Sequence, residues 1–149
     1  MSHVRSSARY STTQKQKDHE MRDGETEDEV LRFIFENIDT VPHLEALLLV
    51  WQNSATAWST ETLGARLYVS SAQANTILED LSRRGFVTQE HEGAAYRYAP
   101  DWDAQRGLMP RISETYRRNL VGITRMIHSK GSQAARAFSR AFRFTKDRE

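Results

Sequence analysis

The chain has 149 residues, of which 28% are charged and none is cysteine, and its formal net charge is +1. That length suits one domain with extensions; the lack of cysteine excludes disulfides and thiolate metal sites and, with no secretory apolar region, points to a reducing, cytoplasmic setting. The longest apolar run, Ala46 to Trp51, falls far short of the roughly 20 residues that span a bilayer, so stable membrane insertion is not expected.

The charge is unevenly spread along the chain. Met1 to Arg22 carries 5 basic and 2 acidic residues, Asp23 to Pro100 carries 5 and 13, and Asp101 to Glu149 carries 11 and 5. Residues 1–24 are polar, mixed in charge and too poor in large apolar groups to offset the entropy of ordering, and they read as a disordered arm. Residues 25–100 hold the folded unit, and residues 101–149 form a basic helical extension.

Folding is expected to begin at "TEDEVLRFIFENID", where Thr26 and Glu29 have the spacing of a capping box. Val30, Leu31, Ile34, Phe35 and Ile38 follow as an apolar helical face. Pro42 suits the first turn of a second helix, since its missing N–H would be unpaired there. Leu44, Leu47, Leu48 and Trp51 face inward on that helix, and Leu49 and Val50 make it apolar nearly all round, as a central core helix is. "AWS" is long enough only for a bridging strand, after which Ser59 can cap a helix over "TETLGARLY" with Leu63 and Leu67 inward.

In "VSSAQA", Ser70 and Gln73 form another capping-box pair, and Ala74, Ile77, Leu78 and Leu81 give the helix after it an i, i+3, i+4, i+7 stripe that stops at Gly85. "FVTQEHEGAAYRYAP" then alternates about Glu92 and Gly93 as a hairpin closed by Pro100. Beyond the ambiguous connector "WDAQRGLM", Ile112, Tyr116, Leu120, Ile123 and Ile127 form a seam that predicts one long helix to about Lys130. Arg111, Arg118 and Arg125 recur away from that seam. Gly131 breaks the helix, and Ala134, Ala137, Phe138, Ala141 and Phe142 mark one face of a last helix whose other face carries Arg136, Arg140 and Arg143.

From Pro42 to Pro100 the order helix, short strand, helix, turn, helix, hairpin resembles a winged helix-turn-helix domain of the kind found in bacterial transcription regulators of the MarR and ArsR groups. The stretch "STETLGARLYVSSAQANTILEDLSRRGFV" and the hairpin with Tyr96 and Tyr98 carry the resemblance. It implies a recognition helix at Ser71 to Arg84 and a small β-hairpin wing at Gln89 to Ala95, so that with the helices read at both ends the chain is a mainly α fold built on a winged helix-turn-helix core. It also implies a sequence-specific regulator that binds double-stranded DNA.

On about 100° per residue the recognition helix turns Ala72, Asn75, Thr76, Glu79 and Arg83 away from its apolar stripe. The leading residues of such a helix meet base edges, so Ser71, Gln73, Asn75 and Thr76 are the candidate readers; Gln and Asn suit adenine, and Ser and Thr suit either base. Arg66, Arg83, Arg84 and Arg97 are the candidate phosphate holders. The electrostatics are less favourable, because Pro42 to Pro100 has 4 basic and 6 acidic residues, and Glu79 has the spacing to pair with Arg83. A protein–protein interaction or assembly module of the same fold, meeting a basic protein partner, is therefore the alternative.

The flanking helices, Thr26 to Ile38 and the Pro110 to Phe142 region, are expected to build a homodimer, which suits paired half-sites. The five histidines, His3, His19, His43, His91 and His128, are scattered, and neither a zinc set, a phosphate loop nor a nucleophile elbow is present. No enzyme activity, metal or cofactor is expected. Trp51, Trp58, Tyr96, Trp102 and Tyr116 either line a small effector cleft or pack in the core.

Overall fold

Local capping, amphipathic periodicity and one hairpin generate the elements in the computed structural model, which describes residues 27–90 and 95–131. The arm, the Thr26 cap, the wing tip at Glu92 and Gly93 and the Ser132 to Phe142 helix lie outside the described residues.

Helix α1 covers residues 27–37 and buries Val30, Phe33 and Ile34, with Ile38 buried just beyond it. Phe33 adds to the face expected from periodicity, whereas Leu31 and Phe35 are only half-buried. Its ring stacks on Trp102 at 5.4 Å and meets Phe86 at 5.5 Å, which ties α1 to the segment after the hairpin. Helix α2, Val41–Gln52, starts where Thr40 caps it and Pro42 occupies its first turn. Leu44, Ala46, Leu47, Leu48 and Val50 are buried around its circumference, so it is the central helix.

Helix α3, Thr60–Leu67, and helix α4, Ser71–Arg83, each begin with a reciprocal capping box, Ser59 with Thr62 and Ser70 with Gln73. The link between them is tight. Val69 N–H donates to the Gly64 carbonyl at 3.0 Å, and a Cβ on Gly64 would lie 2.9 Å from the Val69 oxygen, so only glycine lets the turn close onto α3. Ala74, Ile77, Leu78 and Leu81 bury the inner face of α4, and Gly85 at φ +81 ends the segment.

Strands β1, Val87–Gln89, and β2, Tyr96–Tyr98, pair antiparallel with Thr88 opposite Arg97. Trp58 and Tyr96 exchange two backbone hydrogen bonds at 2.7 and 2.8 Å, so the short bridging strand exists as expected. Helix-turn-helix and hairpin together make a winged helix, flanked by further helices on both sides.

The connector that the sequence left ambiguous has a definite structure. Pro100–Asp103 forms a 3-10 turn, and the Asp103 carboxylate accepts from Leu108 N–H at 2.6 Å and Met109 N–H at 2.8 Å. These are the first amides of helix α5, Leu108–Arg118, and a carboxylate there also meets the positive end of the helix dipole.

The expected long helix is not continuous. It breaks at Asn119 (φ −134, ψ 47), and a separate helix α6, Leu120–His128, follows, then a 3-10 turn at Ser129–Gly131. Asn competes with the helical backbone for hydrogen bonds, and a Cβ on Gly122 would lie 2.4 Å from the Asn119 Oδ1, so Gly122 leaves room for the side chain. The break lets both α5 and α6 contact α2. Ile112, Ile123 and Ile127 are buried as expected, but Leu120 drops out of the seam and is 52% exposed beside Val121 at 62%.

Candidate nucleic-acid interface

The leading face of α4 is open. Ser71, Ala72, Gln73, Asn75 and Thr76 are all exposed, while Ala74 among them and Ile77 and Leu78 after them are held in the core. Their polar atoms are partly committed to local bonds. Gln73 Oε1 accepts from Ser70 N–H at 3.2 Å, which leaves its Nε2 as the outward donor. Asn75 Nδ2 donates to Glu79 Oε1 at 3.1 Å, and Thr76 Oγ1 donates to the Ala72 carbonyl at 3.2 Å. Bonds of this kind on a solvated helix are worth a few tenths of a kcal/mol and exchange readily.

The cations are more heavily engaged. Arg83 pairs with Asp80, one turn back, so the expected Glu79–Arg83 pair does not form. Asp80 is the better partner because it is already held in place: His43 Nε2 donates to its Oδ2 at 2.8 Å. Arg84 faces Asp39 at 3.8 Å and donates to Asn37 Oδ1 at 3.4 Å. Arg97 Nε lies 2.6 Å from Glu90 Oε1, and its Nη1 donates to the Ala55 carbonyl. Arg66 is exposed, with its guanidinium 5.8 Å from the Trp58 ring centre. Three of the four expected phosphate holders therefore have an acid of this chain beside them.

An open groove of about 360 Å³ runs between α4 and the wing, lined by Glu79, Ser82, Arg83, Gln89 and Tyr96. It has the position of a docking surface rather than of a small-molecule pocket. Trp58 and Tyr96 are buried, Trp102 stacks on Phe33, and Tyr116 Oη donates to Glu45 Oε1 at 3.4 Å. Of the five aromatics, Tyr96 borders the groove, while Trp51, Trp58, Trp102 and Tyr116 pack in or against the core.

His43 is buried under the α4 C-terminal half. Burial pushes its imidazole below the usual histidine range; Asp39 opposes the shift, and Arg84 and Lys130 add to it. In the neutral ring Nε2–H serves Asp80, and Nδ1 accepts from the Thr40 hydroxyl at 2.6 Å. Asp39, His43 and Asp80 bring their ligand atoms within 4.8 Å of one another. Arg83 and Arg84 lie beside the two carboxylates and would compete with a cation for them.

Several features escaped sequence reasoning. The pairing of Arg97 with Glu90 was foreseeable, because the register opposing Thr88 and Arg97 brings the two to a cross-strand diagonal. The His43–Asp80 contact joins residues 37 positions apart and had no local signal. Asp103 needed the helix start at Leu108 before its capping role could be seen.

No family model matches the chain, and no curated protein matches it. Among solved structures it is similar to a MarR family protein from Bacillus stearothermophilus, with a TM-score of 0.38 and 12% identity, over 93% of this chain and 94% of that one. The chain's own elements make it a winged helix-turn-helix protein: two capped helices joined by a turn closed on Gly64, followed by a hairpin that Trp58 extends.

Proposed function

We propose that this chain is a sequence-specific DNA-binding regulator that lays α4 in the major groove, acts in the cytoplasm and has no catalytic role. The observation that carries the reading is the uncovered leading turn of α4, where Ser71, Gln73, Asn75 and Thr76 stand exposed on a helix whose opposite face is locked in the core. The outward Gln73 amide and the Asn75 carbonyl oxygen suit base edges, and the two hydroxyls suit either base. Arg66 is the readiest phosphate contact. Arg83, Arg84 and Arg97 would trade an internal acid for a phosphate, so each contributes less than a free arginine.

That pairing favours a second reading, a protein-binding module that uses the same groove. Selection of bound fragments from a random duplex pool at about 50 and 200 mM salt separates the two, because phosphate-dependent affinity falls steeply over that range. Enriched inverted repeats support the regulator. Equal, weak retention of all sequences, insensitive to replacing Arg66, Arg83, Arg84 and Arg97, supports the module.

A homodimer belongs to the same proposal, with a changed interface. Val30, Ile34 and Ile38 near α1, and Ile112, Ile123 and Ile127 of α5 and α6, are spent inside the protomer. Among the described residues, the large apolar side chains exposed for a second copy are Leu120 and Val121, with Tyr68 beside α4. Light scattering at tens of micromolar should give twice the chain mass; a monomer mass removes the dimer.

A further inference from the structure

Tyr68 caps α3 in the left-handed conformation (φ 58, ψ 39) and is 96% exposed. Its position calls for Gly or Asn, since a Cβ in that conformation crowds the following carbonyl. Among the described residues Tyr68 is the one non-glycine with positive φ. Its ring does not repay that cost within the chain, because almost all of its surface is open to solvent. The backbone beneath it is firmly held: its N–H donates to the Gly64 carbonyl, as does that of Val69, and the Ser70–Gln73 box begins two residues later. An amphipathic side chain is thus projected outward from a rigid turn, next to the leading turn of α4.

The sequence on either side of it, between Glu61 and Glu79, indicates what it meets. Ala65 to Leu78 contains Arg66 and no acidic residue, although Asp23 to Pro100 has 13 acids. This stretch of the chain is suited to an anion. In helix-turn-helix docking the first helix crosses the nucleic-acid backbone and the second enters the groove, so the link between them passes the phosphates at the groove edge. Tyrosine hydroxyls are among the groups that donate to phosphate oxygens. We infer that Tyr68 is a phosphate-contacting residue of the DNA interface, its hydroxyl donating to a backbone oxygen beside the bases that α4 reads. The inference rests on the DNA-binding reading above.

The test uses the full chain, the duplex enriched from the random pool and an unrelated duplex of equal length. Tyr68→Asn relieves the backbone cost and should melt about 2–4 °C higher. It should nevertheless bind both duplexes about threefold to tenfold more weakly, the worth of one hydrogen bond. Tyr68→Phe, which keeps the ring and the strain and loses only the hydroxyl, should show the same loss of binding without the gain in melting temperature. Because the lost group is neutral, the slope of log K against log salt should stay unchanged for both variants, whereas Arg66→Ala should reduce it by about 1.

Wild-type binding of both duplexes by Tyr68→Asn overturns the inference and leaves the DNA reading intact. A loss confined to the enriched duplex overturns the phosphate assignment in favour of a base contact. Absence of duplex binding by the wild type at low salt overturns the DNA reading and this inference together. A change in solution mass on Tyr68→Asn would then place the ring at a contact between copies.

Discussion

Replacing Glu90 by Gln removes one negative charge from the wing and loosens the hold on Arg97, whose Nε lies 2.6 Å from Glu90 Oε1. Both side chains are about two-fifths exposed, at 41% and 42%, so the pair contributes at most about 1 kcal/mol to stability. The Glu90→Gln protein should therefore melt within a few degrees of wild type. Its effect on DNA binding should be larger. A cation that gains a phosphate adds about 0.9 to the negative slope of log K against log salt. Relative to about 1 M salt, this is roughly an eightfold gain in affinity at about 0.1 M. Between about 50 and 200 mM it adds roughly a 3.5-fold change to the salt effect. Fluorescence anisotropy on the enriched duplex at several salt concentrations reads both quantities. Glu114→Gln makes the same change of charge on α5 and controls for net charge alone. A Glu90→Gln slope equal to that of wild type, with duplex binding intact, refutes the placement of the wing against phosphates.

Asp103→Ala leaves two buried amides without their charged acceptor and should cost about 3 kcal/mol, seen as a urea midpoint lower by about 1–2 M, with Asp103→Asn in between; a loss under about 1 kcal/mol would contradict the capping role. Gly85→Ala adds a Cβ with nothing within 4 Å and should cost only the backbone strain of about 1 kcal/mol, whereas Gly64→Ala has no such strain but places its Cβ 2.9 Å from the Val69 carbonyl oxygen, which must shift, and should cost more. The reverse order in chemical denaturation would mean that the turn does not close on α3. The folded-state His43 pKa lies below its ordinary value of 6.5, so the unfolded chain takes up the proton first. Stability is then fully present above about pH 6.5 and is lost as pH falls through the folded value, and His43→Gln should flatten the melting-temperature profile between about pH 7 and pH 5. An unchanged profile would show that His43 is not buried neutral.

Much of the winged core was legible because its signals are local. Ser59 with Thr62 and Ser70 with Gln73 cap their helices through residues three apart, and the Ala74, Ile77, Leu78, Leu81 stripe depends only on helical period. The exposure of Asn75 and Thr76 follows from the stripe they oppose. Phe33 was missed because its burial depends on Phe86 and Trp102, rings more than 50 positions away. Tyr68 gave no warning either, since a left-handed residue that is neither Gly nor Asn runs against preference.

The amino-acid order alone determined where α2, α3 and α4 start, which of the α3 and α4 faces turn inward and that two short strands follow α4, because capping and periodicity act over a few residues. Tertiary structure decided the break at Asn119, since both α5 and α6 pack against α2, a requirement that apolar spacing along the chain does not encode. It also decided the state of the arginines. Whether Arg83, Arg84 or Arg97 is available to a phosphate depends on the distance to Asp80, Asp39 or Glu90, and charge interactions of that kind are set by separation in space, to which position along the chain is a poor guide.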